Sequence, residues 1–318
     1  MPEKVLVVRE IPEAGLRPLE DFAVTVLSEL PPERGELLEA VRGVDGVLST
    51  LTEKIDAEFM DAAGENLKVV ANMAVGYDNV DVAAADERGI VVTNTPGVLD
   101  ETTADTAFML LLAAARRLGE GERIVRAGRW EAWGPKMLLG PDVWGKKLGI
   151  LGFGRIGQAV ARRAGGFGME ILYWSRSRKE EAERELGARY LELDELLREC
   201  DFVSIHTPLS EETTHLISTG ELEKMKPEAV LVNTSRGPVV DEAALAAALA
   251  EGRIFAAGLD VYEEEPEVHP GLLELENVVL APHIGSASFE TRDKMAAMAG
   301  EDLRAVLRGG RPENPVNT

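Results

Sequence analysis

One run of glycines in this 318-residue chain has the spacing of a phosphate cradle. Leu148–Leu151 reads as a buried strand and leads into Gly152-Phe153-Gly154-Arg155-Ile156-Gly157, after which Gln158–Ala164 reads as a helix. Strand, G-x-G-x-x-G and helix in that order form a dinucleotide fingerprint. Gly152 permits the tight turn, Gly154 lets the backbone approach a pyrophosphate, and Gly157 lets helix and strand pack closely. The N–H groups of the loop, from Gly152 through Phe153, Arg155 and Ile156 to Gly157, and the positive end of the helix dipole would hold the phosphates. A second strand, Ile171–Trp174, ends in Ser175-Arg176-Ser177-Arg178-Lys179. At this distance, about 20 residues past the glycines, a site for NAD places a carboxylate for the ribose 2′-hydroxyl, whereas an arginine suits a 2′-phosphate. No acid occurs before Glu180. The two hydroxyls and two guanidinium groups of Ser175, Arg176, Ser177 and Arg178 therefore predict NADP(H) as the preferred cofactor, with NAD(H) as the alternative.

Three later segments carry polar residues at the ends of apolar runs, where ligands bind in open α/β sheets. They are Val232-Asn233-Thr234-Ser235-Arg236-Gly237, Gly258-Leu259-Asp260-Val261-Tyr262-Glu263-Glu264-Glu265-Pro266 and Ala281-Pro282-His283-Ile284-Gly285-Ser286. The guanidinium of Arg236 matches a carboxylate bidentately and is always charged. An imidazole with an ordinary pKa near 6.5 can give or take a proton at neutral pH, so His283 is the candidate proton donor. A carboxylate bonded to that ring would fix its tautomer, and Glu263, Glu264 and Glu265 all lie in one acidic run. His206, His215 and His269 read as satisfied strand-end or surface residues. No His, Asp or Glu grouping has metal-ligand spacing, so no metal is expected.

Two series of elements must position these residues. Short β-branched runs at Val5–Val8, Gly46–Ser49, Val69–Asn72 and Ile90–Thr93 alternate with helical stretches such as Glu33–Arg42 and Asp56–Ala63. A second series runs through Leu148–Leu151, Ile171–Trp174, Phe202–Ile205, Val230–Asn233, Phe255–Leu259 and Val278–Leu280. Alternating strands and helices predict parallel sheets covered on both faces. The fold class expected is α/β, with two doubly wound parallel-sheet domains, the second a Rossmann dinucleotide-binding domain, and a cleft between them. The expected boundaries are 1–97 plus 285–318 for a flavodoxin-like substrate domain and 98–284 for the dinucleotide-binding domain. After the turn cluster Asn94–Gly97, a helix from about Asp100 to about Leu118 is apolar almost all round, which predicts burial on more than one side, either as a central core helix or, the favoured reading, at a domain junction and a dimer contact. The helical segment Ser288–Leu307 is expected to return the chain to the first domain.

Composition narrows the partners. Fifty-six acids against 34 bases give a formal charge of −22, which disfavours nucleic acid and anionic membranes. No apolar run approaches the roughly 18 residues of a membrane span. Met1-Pro2-Glu3-Lys4 leads straight into Val5–Val8 without a signal-like segment, and the single cysteine, Cys200, rules out a disulfide framework. A cytoplasmic protein is expected.

The GFGRIG loop and the Arg, Glu-Pro and Pro-His segments, in this order and spacing, resemble the D-2-hydroxyacid dehydrogenase family. Ala74–Asn79 (AVGYDN) and Ala104–Phe108 (ADTAF) extend the resemblance over nearly the whole chain. Within the family the chain is most similar to the glyoxylate/hydroxypyruvate reductases, by the SRSR loop, Arg129-Trp130-Glu131-Ala132-Trp133, and PHIGSAS followed by a helix. The resemblance implies a catalytic triad of Arg236, Glu265 and His283, with Glu265 singled out from its neighbours by Pro266. It implies a substrate-carboxylate cradle at the N–H groups of Val75 and Gly76, acting with Arg236 and His283. It places Asp260 at the nicotinamide carboxamide and adds Thr207, Thr234 and Gly285 to the cofactor contacts. The reaction implied is hydride transfer to a small anionic 2-oxoacid in a homodimer, where Trp133 of one subunit could border the other's pocket. Glu265 stands where formate dehydrogenases of this superfamily carry Gln. D-lactate and 3-phosphoglycerate dehydrogenases, and a nucleotide-sensing protein like the corepressors of this fold, remain the alternatives.

Overall fold

The computed structural model describes residues 2–317. The chain divides into two compact units, residues 1–99 with 287–318 and residues 100–286. The first is built on β1 (Lys4–Val7), β2 (Ala23–Val26), β3 (Gly46–Ser49), β4 (Val69–Asn72) and β5 (Val91–Thr93). All pair in parallel, in the order β2-β1-β3-β4-β5. Leu6, Val8, Val47 and Val70 pack with Phe59, Met60 and Leu37 on one face of this sheet. The helix Phe289–Leu307, opened by Ser288 as its cap, packs on β3, β4 and β5 of the same unit.

The second unit carries β6 (Lys147–Leu151), β7 (Glu170–Trp174), β8 (Arg189–Tyr190), β9 (Phe202–Ile205), β10 (Val230–Asn233), β11 (Ala256–Leu259) and β12 (Val278–Leu280). Its parallel order is β12-β11-β10-β9-β6-β7-β8. The chain therefore reverses direction across the sheet between β6 and β9, which makes their carboxyl ends a topological switch point. Alternate side chains go to opposite faces. Leu148, Ile150, Val230 and Val232 pack on one side, and Leu151, Val203, Ile205 and Leu231 on the other. Burial on both faces is why these strands read as unbroken apolar runs.

The two-domain parallel α/β class is as expected, with differences in detail. β2 and β8 are edge strands, mostly exposed, so no apolar run announces them. The apolar helix spans Asp100–Ala115 and does not reach Leu118. Arg117 takes a left-handed backbone (φ 51°), and a separate helix, Leu118–Arg126, starts there. Ala104, Ala107, Leu110, Leu111 and Ala114 of the long helix belong to the core of the second unit, against β10 and β11 and the helix Arg155–Gly166. Its apolar circumference is thus a core feature, with Met109 facing outward at 47% exposure. No helix among the described residues is long and apolar enough to cross a membrane.

Candidate active site

Strand register assembles the second unit's candidates. Leu151 pairs with Ile205, Ile205 with Asn233, Asn233 with Leu259 and Leu259 with Leu280. The residues that follow, Gly152, His206, Thr234, Asp260 and Ala281, consequently emerge along one sheet edge. Segments distant in sequence meet there because parallel strands end together.

At the switch point, Gly152 has φ +91°, and a Cβ there would lie 2.5 Å from the His206 carbonyl oxygen. A Cβ on Gly157 would lie 2.2 Å from the Gly152 carbonyl oxygen. Both positions are closed to any side chain. Gly154 differs, because open space faces it, and no side chain caps the Arg155–Gly166 helix that it begins. The first N–H groups of such a helix lack intrahelical acceptors. The hydroxyls of Thr207 and Thr234, buried at the ends of β9 and β10, have no hydrogen-bond partner among the described residues. Buried polar groups are ordinarily bonded. Orphaned hydroxyls, an uncapped helix and a bare glycine on one edge fit a bound dinucleotide with phosphate and ribose oxygens to offer. Arg155 itself pairs with Asp100 at 3.1 Å. Burial pushes the His206 imidazole down to about 3, so it is neutral, bonded to Ser204 Oγ at 2.8 Å.

The loop after β7 divides its two arginines. Arg178 grips Glu183 through Nε at 2.7 Å and Nη2 at 2.9 Å, and the Tyr173 hydroxyl donates to the same carboxylate. Those bonds, from Arg178 first and then Tyr173, hold Glu183 down at about 2. Arg176 is more loosely held, its side chain 68% exposed and its guanidinium 4.0 Å from Glu212. The sequence alone offered both cations to a 2′-phosphate. The fold commits one of them to its own helix.

The triad candidates come together on three strand ends. Glu265 Oε2 lies 2.7 Å from His283 Nδ1, and Oε1 accepts from the Tyr262 N–H at 3.0 Å. Burial pushes the Glu265 carboxyl up. The bond to His283, its charge, the Tyr262 N–H and the Arg236 charge together outweigh this and hold it below the usual carboxylate range. An ionised carboxylate only accepts, so Nδ1 is the donor. Nε2 has no partner among the described residues. His283 sits in a left-handed turn (φ 53°). Asp260 holds that turn: its carboxylate oxygens accept from the N–H groups of Ile284 and Gly285, each at 2.7 Å, and its carbonyl accepts from the His283 N–H at 2.9 Å. Asp260 is 1% exposed, and its carboxyl is raised because burial outweighs these bonds.

Sequence reasoning overlooked two supporting residues. Asn233, buried at the end of β10, donates to the Arg236 carbonyl at 2.9 Å and accepts from Ser235, shaping the turn that presents Arg236. The Tyr262 hydroxyl donates to the Ala281 carbonyl at 2.8 Å, tying the Glu265 segment to the strand that precedes His283. An asparagine closing a buried apolar strand was the available signal for the first. Nothing in the sequence marked the second.

In the first unit, Val75 and Gly76 follow β4. The Gly76 carbonyl accepts from Asn72 Nδ2 at 3.1 Å and the Val75 carbonyl from Asn94 Nδ2 at 2.8 Å. With both carbonyls held, neither N–H has an acceptor among the described residues. Asn72 in turn meets Ser49 and Asn79, so the loop rests on a buried polar network.

Residues 108–285 match the family profile described as D-isomer specific 2-hydroxyacid dehydrogenase, NAD binding domain. The chain belongs to this family. A glyoxylate reductase of Korarchaeum cryptofilum is 56% identical over 322 residues, covering 100% of this chain and 96% of the relative. A solved Thermus thermophilus protein superposes with a TM-score of 0.93 at 49% identity, over 99% of this chain and 100% of the other. The NADPH-dependent glyoxylate/hydroxypyruvate reductase of Sinorhizobium meliloti, solved with NADP and malonate, gives 0.88 at 39% identity over 99% and 97%. Family membership makes the chain an oxidoreductase of the 2-hydroxyacid/2-oxoacid couple with a Rossmann dinucleotide-binding domain. Which oxoacid is reduced is decided by the site and not by the fold.

Proposed function

We propose that the protein reduces a small 2-oxoacid, glyoxylate or hydroxypyruvate, to the D-2-hydroxyacid, using NADPH in preference to NADH. The observation that carries this reading is the imidazole of His283, with Nδ1 committed to an ionised Glu265 and Nε2 left for a substrate oxygen, on the same sheet edge as Arg236.

When bound, the reduced nicotinamide supplies the hydride. Gly152 to Gly157, with the helix that follows, would take its pyrophosphate, Thr207 and Thr234 would offer hydroxyls to its sugars and amide, and Ser175, Arg176 and Ser177 would face the 2′-phosphate. Arg236 binds the substrate carboxylate and polarises the carbonyl, which needs the planar fork of a guanidinium. In the first unit, the N–H groups of Val75 and Gly76 are the candidate donors for a substrate carboxylate. His283 gives a proton from Nε2 to the developing alkoxide, and Glu265 stabilises the imidazolium until the proton leaves. Asp260 and Gly285 contribute by fixing the turn that aims the ring.

We further infer a homodimer. Trp130, Trp133, Leu139 and Trp144 are 55%, 77%, 61% and 72% exposed and follow the Leu118–Arg126 helix, which buries none of its residues. An apolar band of this kind marks a protein interface.

The test is steady-state consumption of NADPH with glyoxylate, hydroxypyruvate, pyruvate and phosphohydroxypyruvate. The reading expects the highest kcat/KM for one of the first two. Preference for either of the others would make the chain a different dehydrogenase, and no turnover with any would make it a nucleotide-binding protein.

A further inference from the structure

Glu242 opens the helix Glu242–Ala250 and is 6% exposed. Charged residues are almost never buried this far without partners. Its partners are backbone N–H groups on the segment that carries Glu265: Oε1 accepts from Glu263 at 2.8 Å and Oε2 from His269 at 3.1 Å. One carboxylate thus closes the base of the 263–269 excursion at both ends. Glu263 answers from the other side, its Oε1 accepting from the Glu242 N–H at 2.6 Å and its Oε2 meeting His215 Nε2 at 3.1 Å. The neighbouring turn is packed as closely. A Cβ on Gly237, next to Arg236, would lie 1.8 Å from the Tyr262 carbonyl carbon. Inside the excursion, the Glu267 N–H donates to the Glu264 carbonyl at 2.8 Å, leaving Glu265 within a small closed loop.

We propose that Glu242 is a positioning residue for the reaction: by tying both ends of the acidic loop it sets where Glu265 stands, and through Glu265 the orientation of His283. It touches neither substrate nor cofactor. A catalytic group must be held to within about 0.5 Å of its productive geometry. A neutral helix start would serve folding as well, since Asp241 already caps this helix by accepting from the Ala244 N–H at 2.9 Å. The buried charge at Glu242 serves the loop instead. Glu242→Gln is the informative change. It is isosteric, but its NH2 faces a backbone N–H, donor against donor, so one end of the loop comes free.

This inference rests on the proposed roles of His283 and Glu265, and a double-mutant cycle separates the two. Purified full-length parent, Glu242→Gln, Glu265→Gln and the double variant are compared in kcat, oxoacid KM and NADPH affinity, the last from the fluorescence of the bound reduced nicotinamide. Since a misplacement of about 1 Å can cost roughly 100-fold, a partial release should lower kcat by about three- to tenfold. Oxoacid KM and NADPH affinity should stay within about twofold. In the Glu265→Gln background the same change should cost almost nothing further, because the residue being positioned is already disabled. Glu242→Asp, which keeps both oxygens, should recover part of the loss. If Glu242→Gln does not fold, Glu263→Gln loosens the same loop base and takes its place in the cycle. Parent-like kcat in a folded variant, or losses that multiply in the double variant, would overturn the proposal. Parent-like kcat in Glu265→Gln would instead overturn the reading beneath it.

Discussion

Replacing Arg176 with alanine should remove most of the discrimination between NADPH and NADH. The magnitude follows from which groups the fold leaves available. Arg178 is bound bidentately by Glu183, and withdrawing it would break two bonds of 2.7 and 2.9 Å and free a carboxylate that Tyr173 also holds. Arg176 has only a 4.0 Å approach to Glu212 to give up. On the proposed reading, one guanidinium is therefore left to meet a 2′-phosphate, with Ser175 and Ser177 in the same loop. A hydrogen bond to a charged group contributes about 1.5–3 kcal/mol when protected. Exposure of the Arg176 side chain brings this to the lower end, and about 1.4 kcal/mol corresponds to tenfold. NADPH should exceed NADH in kcat/KM by roughly tenfold in the parent and by less than about threefold in Arg176→Ala. Arg178→Ala should lower Tm while leaving the ratio close to the parent's. The preference should also shrink with added KCl, because the Debye length falls from about 10 Å at 0.1 M to about 3 Å at 1 M. Paired saturation curves for the two cofactors at a fixed oxoacid concentration give all three ratios. Equal efficiency in the parent, or a ratio that follows Arg178 and not Arg176, would refute the reasoning.

His283→Ala should lose about 10²–10⁴-fold in kcat, the range for a general acid, with cofactor affinity retained, and stopped-flow single turnovers would check it. Arg236→Lys keeps the charge but not the planar fork, so KM should rise and kcat fall together; unchanged kcat/KM would place carboxylate recognition elsewhere. Glu265 has a folded pKa below its unfolded one, so it contributes stability above the unfolded carboxylate pKa that is lost as pH falls through the folded one. The Tm gap between the parent and Glu265→Gln should therefore be widest near neutrality and close in acid. Cys200 is buried and its thiol is pushed up to about 12 by that burial. Ellman's reagent should leave it unlabelled in the native protein and label it fully in guanidinium, and native labelling that abolished turnover would contradict this.

The central strands were legible because a strand buried on both faces is apolar along its length, as in Leu148–Leu151 and Val230–Val232. The glycine loop was legible because only glycine tolerates φ +91° at Gly152 and the 2.2 Å approach at Gly157, and that requirement is written into residue type. The edge strands Ala23–Val26 and Arg189–Tyr190 were not legible, since their exposed side chains impose no such pattern. The break at Arg117 was hidden as well, because nothing in its residue type demands a left-handed backbone. Residue type also marked Arg236 and His283 as capable of the chemistry, while only the family resemblance picked Glu265 out of its acidic run. It could not place them, because their proximity depends on β10, β11 and β12 ending in register across the sheet. Nor could it separate Arg176 from Arg178, two cations in one loop, of which only the second is gripped by a carboxylate of the following helix. The same holds for Asp260 and Glu242, whose carboxylates bond backbone N–H groups 24 and 21 residues further along the chain. Backbone donors are the same at every residue, so a carboxylate that chooses among them leaves no trace in sequence, and only the folded chain shows which ones it holds.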